Sequence, residues 1–182
     1  MQEKNRLNPK KIPEKNLLNI ALASALGLGL SPIMPGTFGA MLGVFFHVFI
    51  ISFFPSNIQL AALLIIFLII CTGNNVLTPW AENYWQCKDP KQFVLDEAAG
   101  YLLVPILFHH GKSWQIILWG FFFFRVYDII KMPVARQIDQ KMQGSWGILL
   151  DDLVSALYAV LTMYLLWWAG PRIKLEKWLI SN

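Results

Sequence analysis

The chain has 182 residues, 56% of them hydrophobic and 14% charged, which is richer in apolar residues and poorer in charge than soluble domains of this length. Mean hydropathy is +0.49, and Asn16 to Ala81 contains no Asp, Glu, Lys or Arg, a stretch that no water-facing surface would cover. The net charge of +4 does not signal nucleic acid, because the aromatic residues lie in apolar runs and not between cations. The composition predicts an all-α, small polytopic helical membrane protein.

In chain order, residues 1–16 form a basic arm with Lys4, Arg6, Lys10, Lys11 and Lys15, a positive-inside signal that puts the N-terminus on the cytoplasmic side. No cleaved leader is expected, because the Pro- and Gly-rich run Ser31 to Gly39 does not resemble a cleavage site and another apolar run follows it. Leu17 to Leu30 is short, contains Gly and is stopped by Pro32 and Pro35, so it predicts a half-helix or interfacial helix. Phe38 to Phe54 and Ile58 to Val76 predict two spans joined as a hairpin. Leu77 to Phe93, with Trp80, Tyr84 and Trp85, reads as an interfacial loop or helix. Val94 to Phe108 and Trp114 to Ile130 give two more spans around the turn His109–Lys112. A basic loop, Lys131 to Gly144, leads to a last span, Ile148 to Ala169, and a short polar tail at 171–182. Four to five spans plus the half-helix thus make one domain over 17–170, and the connections at 31–39, 77–97 and 131–147 share the cytoplasmic side. The tail cations Arg172, Lys174 and Lys177 run against that topology.

Charges inside membrane segments cost about 2.5 to 3.5 kcal/mol each on insertion scales, so a concentration of them calls for a reason. Asp96 and Glu97 open the third span, Arg125 and Asp128 close the fourth, and Asp151 and Asp152 enter the fifth, all near one membrane face. Arg125, Asp128 and Lys131 are three apart and share a helix face. Five carboxylates outnumber the nearby cations, and like charges repel unless a metal neutralises them. All-oxygen ligands suit a hard cation such as Mg2+, whereas zinc would call on His and Cys. Structural ion pairing and a proton or cation path, as in a small transporter with Ser31 to Gly39 as its unwound segment, are the competing readings.

The loop Ser31-Pro32-Ile33-Met34-Pro35-Gly36-Thr37-Phe38-Gly39 precedes a helix N-terminus. Its backbone amides, the close approach allowed by Gly36 and the hydroxyls of Ser31 and Thr37 make it a phosphate-binding candidate beside Arg125 and Lys131; the competing reading is a plain helix breaker. His109 and His110 read as turn residues and His47 as a side chain satisfied between helices. Cys71 and Cys87 have no ligand-like spacing. No Cys is followed six positions later by Arg, and no DxDx[TV] occurs, which disfavours two common phosphatase chemistries.

Four segments together resemble the phosphatidylglycerophosphatase A family: Gly29 to Gly39, Asp96 to Gly100 (Asp-Glu-Ala-Ala-Gly), Phe124 to Lys131 (Phe-Arg-Val-Tyr-Asp-Ile-Ile-Lys) and Gly147 to Asp152. The resemblance covers roughly residues 17–170. It implies a bacterial inner-membrane enzyme, active on the cytoplasmic face, that removes the terminal phosphate of phosphatidylglycerophosphate to give phosphatidylglycerol and requires Mg2+. Its metal and catalytic set would come from Asp96, Glu97, Asp128, Asp151 and Asp152, with no obligate protein partner. Where the family shows Lys-Pro-x-Pro, this chain has Lys131-Met132-Pro133-Val134.

Overall fold

Asn16 starts the first helix by accepting hydrogen bonds from the amides of Leu18 and Asn19 at 3.0 and 3.3 Å. The computed structural model describes residues 16–170, so the rest of the basic arm and the polar tail lie outside the described residues. Helix α1, Leu17–Ala23, runs for only seven residues and ends where Ala25 and Leu26 turn left-handed, ahead of a 3-10 turn at Leu28–Leu30. At roughly 10 Å it is too short to span, as the sequence predicts.

Helix α2, Pro35–Phe53, carries Pro at its first position, where no amide bond is lost. Pro55 separates it from α3, Ser56–Trp85, and the two form the expected hairpin. The helix continues past Val76, where the span was predicted to end, and through Pro79. Thr78 and Ala81 of that extension lie on one face with Asn74 just before it and all three are buried, so packing carries the helix through the polar stretch. Helix α4 is Leu95–Leu107 and α5 is Ser113–Ile130, the latter opened by Lys112 N–H donating to Gln115 Oε1 at 3.1 Å.

The segment read as a basic loop contains a helix, α6, Pro133–Lys141. Left-handed Lys131 ends α5, Pro133 presets the backbone of the new first turn, and Ala135 is buried against the bundle with Ile138 half-buried beside it. Helix α7, Gly144–Ala169, closes the fold. Among the described residues there are seven helices and no strand.

Among the described residues three helices, α2, α3 and α7, are long and apolar enough to cross a membrane. Their outward surfaces expose residues such as Phe45, Ile65, Leu68 and Leu161, as a lipid-facing bundle does. Helix α4 has 13 residues, about 20 Å of helix, and lies at the centre in contact with α2, α3, α5 and α7. Helices α2, α4 and α7 begin, and α3 and α5 end, at the same end of the bundle.

Close approach of α2 to α4 depends on Gly43, where an added Cβ would lie 2.7 Å from the carbonyl oxygen of Ala98 and 2.9 Å from the Tyr101 ring. One turn on, His47 Nδ1 and Tyr101 Oη are 3.0 Å apart across the same buried seam, so His47 is satisfied between helices. A backbone oxygen cannot yield, so Gly43→Ala must push the helices apart. It is expected to cost about 1 to 3 kcal/mol, read as a lowered melting temperature in detergent; an unchanged melt would refute the seam.

Candidate active site

The first turn of α4 carries Asp96 and Glu97, where acidic side chains are favoured by the helix dipole. Asp152 reaches them from α7, because α4 and α7 touch closely at Gly100: a Cβ there would sit 3.3 Å from Cβ of Asp152. One carboxylate oxygen from each of Asp96, Glu97 and Asp152 lies within 4.8 Å of the others. Asp96 and Asp152 are buried and Glu97 is half-buried.

Each of the three also holds a buried oxygen without a hydrogen-bond partner among the described residues: Oδ1 of Asp96, Oε2 of Glu97 and Oδ2 of Asp152. Buried polar atoms are normally satisfied, and three clustered carboxylates that each keep an unpartnered oxygen fit a small hard cation.

The other two predicted acids are engaged differently. Asp128 pairs with Arg125 one turn before it on α5. Asp151 accepts from Lys131 Nζ at 2.8 Å, and the same ammonium lies 3.2 Å from Asp139 of α6. Burial works against the Lys131 charge, but its hydrogen bond to Asp151 and the fields of Asp151 and Asp139 outweigh that and raise its pKa. Lys131 is therefore a fixed cation at any physiological pH. Three of the five acids thus cluster and two hold the cations in place, with Asp128 also in hydrogen-bonding reach of Asp152.

The α2 N-terminus completes the wall. Met34 in the left-handed region turns the chain so that Pro35 and Gly36 face the acids. A Cβ on Gly36 would collide with Glu97 Oε1 and sit 3.2 Å from Arg125 Nη2, so only Gly lets this backbone touch both. Thr37 has a buried hydroxyl without a partner among the described residues. Ser31 is not brought to the wall: its hydroxyl donates to the Ile33 carbonyl at 3.0 Å and is spent on its own turn.

These groups enclose a cavity of about 340 Å³. Asp89 and Lys91, from the connection after α3, also line it, and Asp139 lies behind Lys131. The sequence reading missed all three as site residues. Asp139 sits eight positions from Lys131 in a segment read as loop, and only the helical fold of α6 aims it back. His109 and His110 lie at the opposite end of the bundle, where His110 stacks on Trp167.

A carboxylate triad, two held cations and a helix N-terminus in one cavity are the parts of a phosphoryl-transfer site. The family model for phosphatidylglycerophosphatase A matches residues 21–167, which includes all four motifs. The chain belongs to the phosphatidylglycerophosphatase A family. It is thus a membrane phosphatase. A phosphatidylglycerophosphatase A of Haemophilus influenzae is 33% identical over 164 residues, 90% of this chain and 96% of its own length. That of Escherichia coli K12 is 30% identical over 79% of this chain and 80% of its own length. A Bacteroides thetaiotaomicron relative with the provisional name phosphatidylinositol-3-phosphatase is 26% identical over 84% of this chain and 96% of its own length. No solved structure matches the chain.

Proposed function

We propose that this protein hydrolyses the terminal phosphomonoester of phosphatidylglycerophosphate, giving phosphatidylglycerol and phosphate, with Mg2+ held by Asp96, Glu97 and Asp152. The observation that carries the reading is the convergence of those three carboxylates, each with an orphaned oxygen, in the cavity that also holds Arg125 and Lys131. Family membership supplies the lipid phosphomonoester as substrate.

Mg2+, when bound, supplies positive charge against the phosphate and its leaving oxygen. Arg125, steadied by Asp128, and Lys131, steadied by Asp151 and Asp139, neutralise the remaining phosphate oxygens. The α2 N-terminus at Gly36 offers backbone N–H and the positive end of a helix dipole to the same anion. Asp128, which lines the cavity and holds no metal in this reading, orients the attacking water or takes its proton. The basic arm before α1 favours a cytoplasmic face of a bacterial inner membrane for this end of the bundle.

The test is phosphate release by purified protein from phosphatidylglycerophosphate, with phosphatidylinositol 3-phosphate as comparator, in Mg2+ and in EDTA. Release from phosphatidylglycerophosphate is expected to fall in EDTA by at least about a hundredfold and to return with Mg2+. Release indifferent to EDTA would remove the metal from the reading. No release from folded protein would overturn the activity itself.

A further inference from the structure

The cavity has two exposed lips of opposite chemistry. One is polar, formed by Asp89 and Lys91 in the connection after α3. The other is apolar, formed by Met34 and Pro35 at the start of α2 and Ile129 at the end of α5. Met34 is 57% exposed and Ile129 62% exposed, yet both line a cavity whose inner wall is carboxylates and cations. The apolar lip continues outward through Ile33 and Ile130, also exposed.

We propose that this lip is the passage for the lipid's acyl chains: the substrate lies with its phosphomonoester on Arg125 and Lys131 and its diacylglycerol portion leaving sideways between α2 and α5. This rests on the lipid phosphatase reading above. A phospholipid phosphomonoester is charged at one end and apolar at the other, and the mouth divides the same way. Helix α2 packs mainly on α4 and helix α5 mainly on α7, and the two touch each other only sparsely, so their outer rims at the site end are not sealed against one another by close packing. Exposed isoleucine and methionine beside a charged cavity are unfavourable against water and suited to hydrocarbon. The occupant is therefore a two-chain glycerophospholipid. A soluble phosphomonoester would leave the apolar lip without a counterpart.

The experiment is photolabelling of the full chain in nanodiscs by phosphatidylglycerophosphate carrying a diazirine near the acyl carbonyl, with peptide mapping and competition by unlabelled substrate. Competable label is expected on residues 33–38 and 126–130. Label mapping instead to residues 79–88 and 143–144, the stretches that contribute to a separate open groove, would overturn the passage while leaving the phosphatase reading intact. Absence of any competable label together with absence of phosphate release would overturn both. Trp substitutions provide a second, kinetic measurement. Met34→Trp and Ile129→Trp narrow the lip and are expected to raise KM for dioleoyl over dihexanoyl substrate by about tenfold relative to the native chain, equivalent to about 1.4 kcal/mol. Leu165→Trp, equally exposed but on the far part of α7, is the control. An equal ratio in all three variants would refute the passage.

Discussion

Asp152→Asn is expected to lower kcat by about a thousandfold or more while the protein folds normally. Asp152 is buried on α7, keeps one oxygen without a partner among the described residues and is one of the three clustered carboxylates. The amide is nearly the same size, so packing against Gly100 is kept, but one ligand charge is lost. Removing a like charge from a crowded trio also relieves repulsion in metal-free protein, so the melting temperature in EDTA should hold or rise. Mg2+ should raise the melting temperature of the native chain and not that of the variant, a readout independent of turnover. Native-level turnover with native Mg2+ stabilisation in Asp152→Asn would remove this residue from the site. Asp151→Asn is the informative neighbour. It frees Lys131 from one partner but leaves the trio whole, so KM should rise by about tenfold with Mg2+ stabilisation unchanged.

Gly36→Ala is expected to reduce kcat/KM by about a hundredfold with little loss of stability. The added methyl meets the ends of Glu97 and Arg125, not a backbone atom. Flexible side-chain ends move aside cheaply, so the fold survives. Moving aside takes a carboxylate out of the trio and a guanidinium away from its place beside the α2 N-terminus. Both Mg2+ affinity, from activity against Mg2+ concentration, and substrate KM should therefore worsen together. An alanine variant with native kinetics would show that the contact of α2 with Glu97 has no catalytic consequence.

Much of this protein is legible along the chain. The uncharged run from Asn16 to Ala81, the Pro-bounded half-helix and the alternation of apolar runs determine a helical membrane bundle, because hydrocarbon tolerates few other backbone solutions. The chain boundaries of α2, α4, α5 and α7 follow Pro, Gly and the ends of apolar runs, all local signals. Where the reading failed, tertiary packing decided: α3 runs on to Trp85 because one face of its extension, at Thr78 and Ala81, is buried, and α6 is a helix because Ala135 packs against the bundle.

For the site, the sequence by itself determined which residues are unusual, since acids and cations beside apolar spans stand out through their cost in a membrane. It could not assign them partners. Asp151 and Asp152 are adjacent in sequence, but helical geometry sets successive side chains about 100° apart, so one meets Lys131 and the other meets Asp96 and Glu97. Asp96 and Glu97 escape that separation in effect, because α2 and α7 approach α4 from different sides and enclose both. Ser31 and Gly36 belong to one loop, yet only Gly36 reaches the acids, because the left-handed turn at Met34 redirects the chain after Ser31 has spent its hydroxyl. The kinds of groups are fixed by composition and local pattern; which of them share a cavity depends on how the helices rotate and approach, and only the folded bundle decides that.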